Sequence, residues 1–342
     1  ELHGKRRMFF PLPFAWIAWM RGEIVKIRKS GQKTFSLADV FPSGKAASLS
    51  RERGDEAASG GVGKKGRAEE KALFFVFCGI IPYFYPKKTG LAAAVVLSLV
   101  LASCTATRAT VGQGLPAPER GAALFRAQAD SLTSLQRDSM AVQWYAAGDF
   151  PRFMRHFQRV DTRIVTSDGR TVKAHYYVAP DYLCVGTDED FLRLPLTPRA
   201  GQRIADLLGC FLSTPTICDQ VYRAARGKLE PMPMMCERES FRTFVVHNYL
   251  IEGQRKGRKG LIAGHKKDVV LTAALEGKPD RIALYGWHTL DGKPIQPVYT
   301  GHIFHYVDYS HGFRLVRRDI WVDGRRMDYT EVLSHPEYWR GL

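Results

Sequence analysis

Arg163-Ile-Val-Thr-Ser-Asp-Gly-Arg-Thr-Val-Lys-Ala-His-Tyr-Tyr-Val178 sets two β-rich runs on either side of Ser-Asp-Gly, the pattern of a tight hairpin. Upstream, residues 120–147 carry a helical stripe of Phe125, Ala129, Leu132, Leu135 and Val142, off which Met140 and Trp144 fall, and Gly148 supplies a stop. Downstream, Thr197-Pro198 to Gly209 has a helix cap, a proline at the first position and a terminal glycine, and Thr214 to Ala225 repeats the Thr-Pro start. Phe241 to Leu250 fits helix and strand equally. From Lys267 the chain turns to short β-rich runs at Val269–Thr272, Arg281–Tyr285, Tyr306–Val316 and Ile320–Val322, with Asp291-Gly292 and Asp323-Gly324 as turns. Helices in the middle and strands at both ends predict an α+β class. The expected form is a single compact domain over 120–342, with a mainly antiparallel sheet that includes the C-terminal strands.

The chain has 342 residues, 45% hydrophobic and 25% charged, which excludes a disordered, collagen-like or coiled-coil polypeptide. Its 50 Lys and Arg outnumber 34 Asp and Glu, for a net charge of +16. Counted separately, residues 1–104 hold 17 basic and 8 acidic groups, leaving 33 and 26 in 105–342. The excess beyond Cys104 is thus spread thinly, and nucleic acid is not an expected partner. Walker, Gly-x-Ser-x-Gly and His-Glu-x-x-His motifs are absent from the sequence, which argues against P-loop, α/β-hydrolase and zincin chemistry, and the Gly61-Val-Gly-Lys-Lys-Gly66 spacing lies in a Gly/Ser-rich basic stretch with no β-rich run before it.

Residues 1–70 of the upstream segment 1–86 mix one apolar patch, Met8 to Met20, with basic and Gly/Ser-rich stretches, and no amphipathic period crosses them. They read either as a flexible basic extension or, by preference, as non-native sequence ahead of a true start. The next segment has the layout of a secretory signal: Pro86-Lys-Lys88, then an uncharged aliphatic run, then Leu101-Ala-Ser-Cys104. That tail resembles the lipobox of bacterial lipoproteins. The resemblance implies a signal peptide over 87–104, lipidation of Cys104, a tether at Thr105 to Glu119 and an anchor in the membrane on the periplasmic or outer face of the envelope. A transmembrane helix is the competing reading, but the apolar runs at 73–85 and 89–103 each fall short of the roughly 20 residues that span a bilayer.

Beyond these segments lie Cys184, Cys210, Cys218 and Cys236, which read as two disulfides in any of three pairings or as buried thiols. Cys218, just after a helix start, is also the one candidate for a depressed thiol pKa. The acidic loop Val185-Gly-Thr-Asp-Glu-Asp-Phe-Leu-Arg193 lacks the glycine and terminal glutamate of an EF-hand, so capping or an aspartate pair with Arg193 is the expectation over calcium.

The chemical signal is a run of histidines. His265, His288, His302, His305 and His311 fall within 47 residues, among Lys266, Trp287, Asp308, Ser310 and Arg314 and beside Gly264, Gly286, Gly301 and Gly312. If 302–314 is extended, its period of two puts His302, Asp308 and Ser310 on one face and His305 and His311 on the other. The first face has the residue types of a hydroxyl nucleophile with its base and orienter. His305 and His311 stand roughly 20 Å apart along a strand, too far to share a metal, so a metal site would need His288 or His265 with His302 or His311. The sequence leaves the identity of any metal or cofactor unknown. The catalytic candidates are His288, His302, Asp308, Ser310 and His311, with His265, Lys266, Trp287 and Arg314 as substrate-binding groups.

Ser310-His-Gly-Phe-Arg-Leu315 is similar to the Ser-His-Gly-Cys-Ile-Arg segment of L,D-transpeptidases, over some six residues. Phe313 stands where that family has its nucleophilic cysteine, so the likeness points to envelope polymers and transfers no activity. Gly264-His-Lys-Lys-Asp-Val-Val270 and Asp308-Tyr-Ser-His-Gly312 resemble stretches of an uncharacterised family of secreted bacterial proteins. Together these readings predict an envelope lipoprotein that hydrolyses or remodels peptidoglycan or another glycan, or else a non-enzymatic lipoprotein that binds a peptide or polysaccharide.

Overall fold

The computed structural model describes residues 108–342, and the expected signal peptide over 87–104, the expected lipidation site Cys104 and the segment 1–86 lie outside them. In chain order the elements are β1 (Arg108–Thr110), α1 (Ala122–Ala129), α2 (Ser134–Ala147), β2 (His156–Val165), β3 (Thr171–Val178), β4 (Cys184–Gly186), β5 (Phe191–Arg193), α3 (Pro198–Leu207) and β6 (Cys210–Leu212). Next come α4 (Pro215–Ala224), β7 (Gly227–Lys228), α5 (Phe241–Arg255), β8 (Ile262–Ala263), β9 (Lys267–Val269), β10 (Leu284–His288) and β11 (Pro294–Tyr299). The chain closes with β12 (His311–Gly312), β13 (Leu315–Val322), β14 (Arg325–Asp328) and α6 (Tyr329–Ser334). The class is α+β, as the sequence predicts.

The hairpin forms where it is expected. β2 and β3 pair antiparallel from Gln158 with Val178 to Val165 with Thr171, and Gly169 takes the left-handed φ of 80° that the turn requires. Asp168 Oδ1 accepts from the Thr166 hydroxyl and the Arg170 amide, which closes the loop. Val160, Ile164, Ala174 and Tyr176 are buried by the resulting alternation. This pair is the centre of an antiparallel sheet ordered β1-β2-β3-β13-β14, onto which β6 adds at β13. A smaller sheet runs β11-β10-β9-β12, with β9 and β12 parallel.

Two expectations need correction, and one open reading is resolved. The helix over 120–147 is two helices, because Thr133 and Gln136 form a capping box that starts α2 afresh. Leu135 on the expected stripe is consequently exposed, whereas Trp144 is buried and meets Phe125 edge-on at 5.1 Å. The 241–250 segment is helical and extends to Arg255. The second correction concerns 302–314, which is not one strand. Asp308 Oδ1 accepts from both the amide and the hydroxyl of Ser310, and that local turn bends the chain so that only His311–Gly312 and Leu315 onward are extended. The two-face partition of the histidines therefore does not hold.

Candidate functional site

The bend places Asp308 at the centre of a polar cluster. Its carboxylate is buried and accepts from Ser310 at 2.8 Å (amide) and 2.5 Å (hydroxyl), from Arg238 Nη2 at 2.9 Å and from Tyr306 Oη at 3.3 Å. His311 Nε2 stands 3.7 Å away. Burial alone would raise the Asp308 pKa, but the Coulombic pull of His311, present only when that ring is protonated, the hydrogen bonds from Ser310 and the Arg238 charge outweigh it and lower the pKa to about 2. His311 is wholly buried, and neither of its ring nitrogens has a hydrogen-bond partner among the described residues. Burial drives its pKa down to about 3, against the pull of Asp308, so the ring is neutral. Next to it, 6.1 Å between ring centroids, is the half-buried His302, stacked on Tyr306 at 4.1 Å. Burial, aided by Lys267 and Arg238, lowers the His302 pKa as well.

This cluster joins histidines that the extended reading had set on opposite faces, but it removes Ser310 as a nucleophile. The hydroxyl is fully buried and committed to Asp308, with no bond to any histidine among the described residues. Ser310 instead orients the carboxylate. Lys266 belongs to the same neighbourhood: its buried ammonium donates to the Tyr309 carbonyl, and burial, with the Arg193 charge, pushes its pKa down to about 7. Lys267 Nζ lies 4.9 Å over the ring of Trp287. Trp287 takes φ = 57° directly after Gly286 at 98°, a conformation of order 1–3 kcal/mol above the allowed regions for a bulky side chain. Its Nε1 is buried without a partner among the described residues.

The other predicted residues lie in two neighbouring networks. His288 Nε2 bonds Asp219 at 2.8 Å, Tyr285 Oη reaches the same oxygen at 2.9 Å, and Tyr222 stacks on the imidazole. Arg314, expected to hold an anionic ligand, is 1% exposed and donates to the Ala179 and Ile262 carbonyls, so it braces backbone. His265, expected to bind substrate, is equally buried and bonds Asp181 at 3.1 Å. Asp181 is bound by two nitrogens of Arg193, which also reaches Glu252 and Asn248. Burial of Asp181 would raise its pKa, yet Arg193 and His265 hold it well below the ordinary carboxylate range. His265 itself is depressed to about 4 by burial.

His247 is a functional-looking residue that the sequence reading passed over. It is wholly buried on α5, edge-on to Tyr309 at 4.8 Å, with both ring nitrogens unpartnered among the described residues and a pKa lowered to about 2 by burial and the Lys266 charge. With 241–250 read as a helix, the i, i+3, i+4 spacing of Phe244, His247 and Ile251 would have placed it inward. Asp181, Arg238 and Asp219 had no such local signal.

All four cysteines are free. Cys184, Cys210 and Cys218 are buried thiols and Cys236 is exposed, so no disulfide forms among them. Burial raises the Cys218 thiol well above its usual value rather than depressing it. In the acidic loop, Asp188 accepts from the Phe153 amide and Asp190 from the Ala123 amide at the start of α1, while Arg193 finds its aspartate outside the loop, at 181. No three His, Cys, Asp or Glu side chains among the described residues converge in a way that would hold a metal ion. No family model, curated protein or solved structure matches this chain.

Proposed function

We propose that this chain is an envelope lipoprotein whose C-terminal module performs proton-transfer chemistry on an envelope polymer, peptidoglycan or another glycan, at the Asp308–His311–His302 cluster. The observation that carries the reading is a buried, ionised Asp308 bound by Arg238, Tyr306 and Ser310 and backing a neutral His311, with the half-buried His302 beside it. In this reading His302 is the general base towards water or a sugar hydroxyl, because its depressed pKa leaves the imidazole free to accept a proton at neutral pH. Asp308 and His311 fix the field behind it. Arg238, whose side chain is 45% exposed, meets an anionic group of the polymer. The lipobox supports the location, and the likeness around Ser310 supports the polymer class.

The commitment of Ser310 to Asp308, and of Arg314 to carbonyls, favours a second reading in which the same surface only binds the polymer. Incubating the protein with isolated peptidoglycan and measuring soluble fragments separates the two. Release by the native protein, reduced about 100-fold or more in His302→Ala with the thermal midpoint unchanged, is the expected result. Retention on the pellet without any release, weakened by His302→Ala, would replace catalysis by binding.

A further inference from the structure

A cavity of about 400 Å³ lies away from these residues, where the start of β2, the β4–β5 loop and the C-terminal end of α5 meet. Its volume falls in the roughly 300–1,000 Å³ range of small-molecule sites. At its edge Asp181 shows one side of the buried network, its charge already matched by Arg193 and one oxygen already bonded to His265. The charges left over are arranged by element. The β4–β5 loop brings Asp188 and Glu189. Asp188 uses one oxygen on the Phe153 amide, and Glu189 has no hydrogen bond or ion pair among the described residues. The end of α5 and its following loop bring Arg255 and Lys259. Arg255 lies 5.3 Å over the Phe153 ring and donates through Nε and Nη1 to Arg258 and Glu252, which leaves Nη2 without a partner among the described residues. Lys259 is likewise unpaired there.

A cavity carrying one sign of charge selects an ion of the other sign. Here carboxylates come from one loop and cations from the end of α5 and the loop after it, with Phe153 as an apolar part of the lining under Arg255, so neither a simple anion nor a simple cation satisfies it. We infer that this cavity binds a short peptide with free amino and carboxylate ends, the ammonium meeting Glu189 and Asp188 and the carboxylate meeting Lys259 and Arg255. The site goes beyond the proton-transfer reading and does not depend on it. It also gives a role to the acidic loop, in which Asp190 is occupied through both oxygens, Asp188 through one and Glu189 through neither.

Isothermal titration of the full chain with alanyl-alanine, as the L,L and D,D forms, tests the assignment against the N-acetylated and C-amidated dipeptides. Saturable binding of at least one free form, weakened roughly fivefold or more by blocking either end, is expected. Lys259→Glu should weaken the free dipeptide and leave the C-amide unaffected, while Glu189→Lys should weaken the free dipeptide and leave the N-acetyl form unaffected. Both side chains are exposed, so these variants keep the fold. His302→Ala should bind as the native protein does, which keeps this result separate from the fate of the catalytic proposal. Absence of saturable binding, or blocked dipeptides that bind as tightly as the free one, overturns the assignment.

Discussion

Arg193 ties together segments far apart in the chain from a position that is 1% exposed. Its guanidinium holds Asp181 with two nitrogens, Glu252 on α5 at 2.7 Å and Asn248 at 3.0 Å. Removing it leaves the Asp181 carboxylate buried with His265 as its remaining side-chain partner. Arg193→Met should therefore cost about 3–5 kcal/mol, read as a lower midpoint in urea unfolding. Arg193→Met with Asp181→Leu should recover part of that loss, since no charge is then stranded. At this scale the sequence announced the right residue types in the wrong relationships. His302, Asp308 and His311 do share a cluster, but Ser310 and Arg314 are consumed by their own surroundings. Asp181 and Arg238 were invisible, because nothing local marks a side chain whose partner is dozens of residues away.

Elements were legible where the instruction is local. The turn at Ser167-Asp168-Gly169, the Thr-Pro starts of α3 and α4 and the glycine that ends α2 each depend on a few adjacent residues, and each appears in place. The restart of α2 was equally local but was hidden under a continuous apolar stripe. Thr133 Oγ1 accepts from the Gln136 amide while the Gln136 side chain accepts from the Thr133 amide. Thr133→Ala should destabilise the protein by about 1 kcal/mol in urea, and Thr133→Ser by much less. If the alanine variant is neutral, the two helices behave as one and the break carries no energy. Strands β6, β11 and β12 had no comparable signal. β12 is two residues long, and β11 is an exposed edge with prolines at 294 and 297, so neither shows a period of two that a reader can separate from loop.

For the whole molecule, the buried polar networks make stability depend on pH in a direction that can be worked out. His247, His265 and His311 have native pKa values of about 2, 4 and 3, against about 6.5 unfolded, so between pH 6.5 and 4 the unfolded chain takes up protons that the native state refuses. Each contributes about 1.4 kcal/mol per pH unit, lost as pH falls. Asp138 and Asp268 act oppositely. Burial raises both to about 6 from an unfolded value near 3.9, so below pH 6 the native state binds protons that the unfolded chain does not, and most of the histidine effect is offset there. The steep loss is thus confined to pH 6.5 to 6, with a shallower decline to pH 4. Lys266 works on the alkaline side: at about 7 native against roughly 10.4 unfolded, it stabilises progressively as pH rises from 7 to 10. The buried thiols of Cys184, Cys210 and Cys218, raised by burial, oppose it once the unfolded thiols ionise at about pH 8.5, so urea midpoints should rank pH 8 above pH 7 above pH 5. Lys266→Met isolates one source, because it removes a single buried titrating group while keeping much of the side-chain volume. The slope between pH 7 and 9 should fall by about 1.4 kcal/mol per unit in that variant, a larger change than on the acid limb, where only the Lys266 share of the depression of His247 and His311 is lost. A slope that survives the substitution would mean that Lys266 keeps its proton in the native state, and that the ammonium remains paired with the Tyr309 carbonyl and the field of Asp308 across this range.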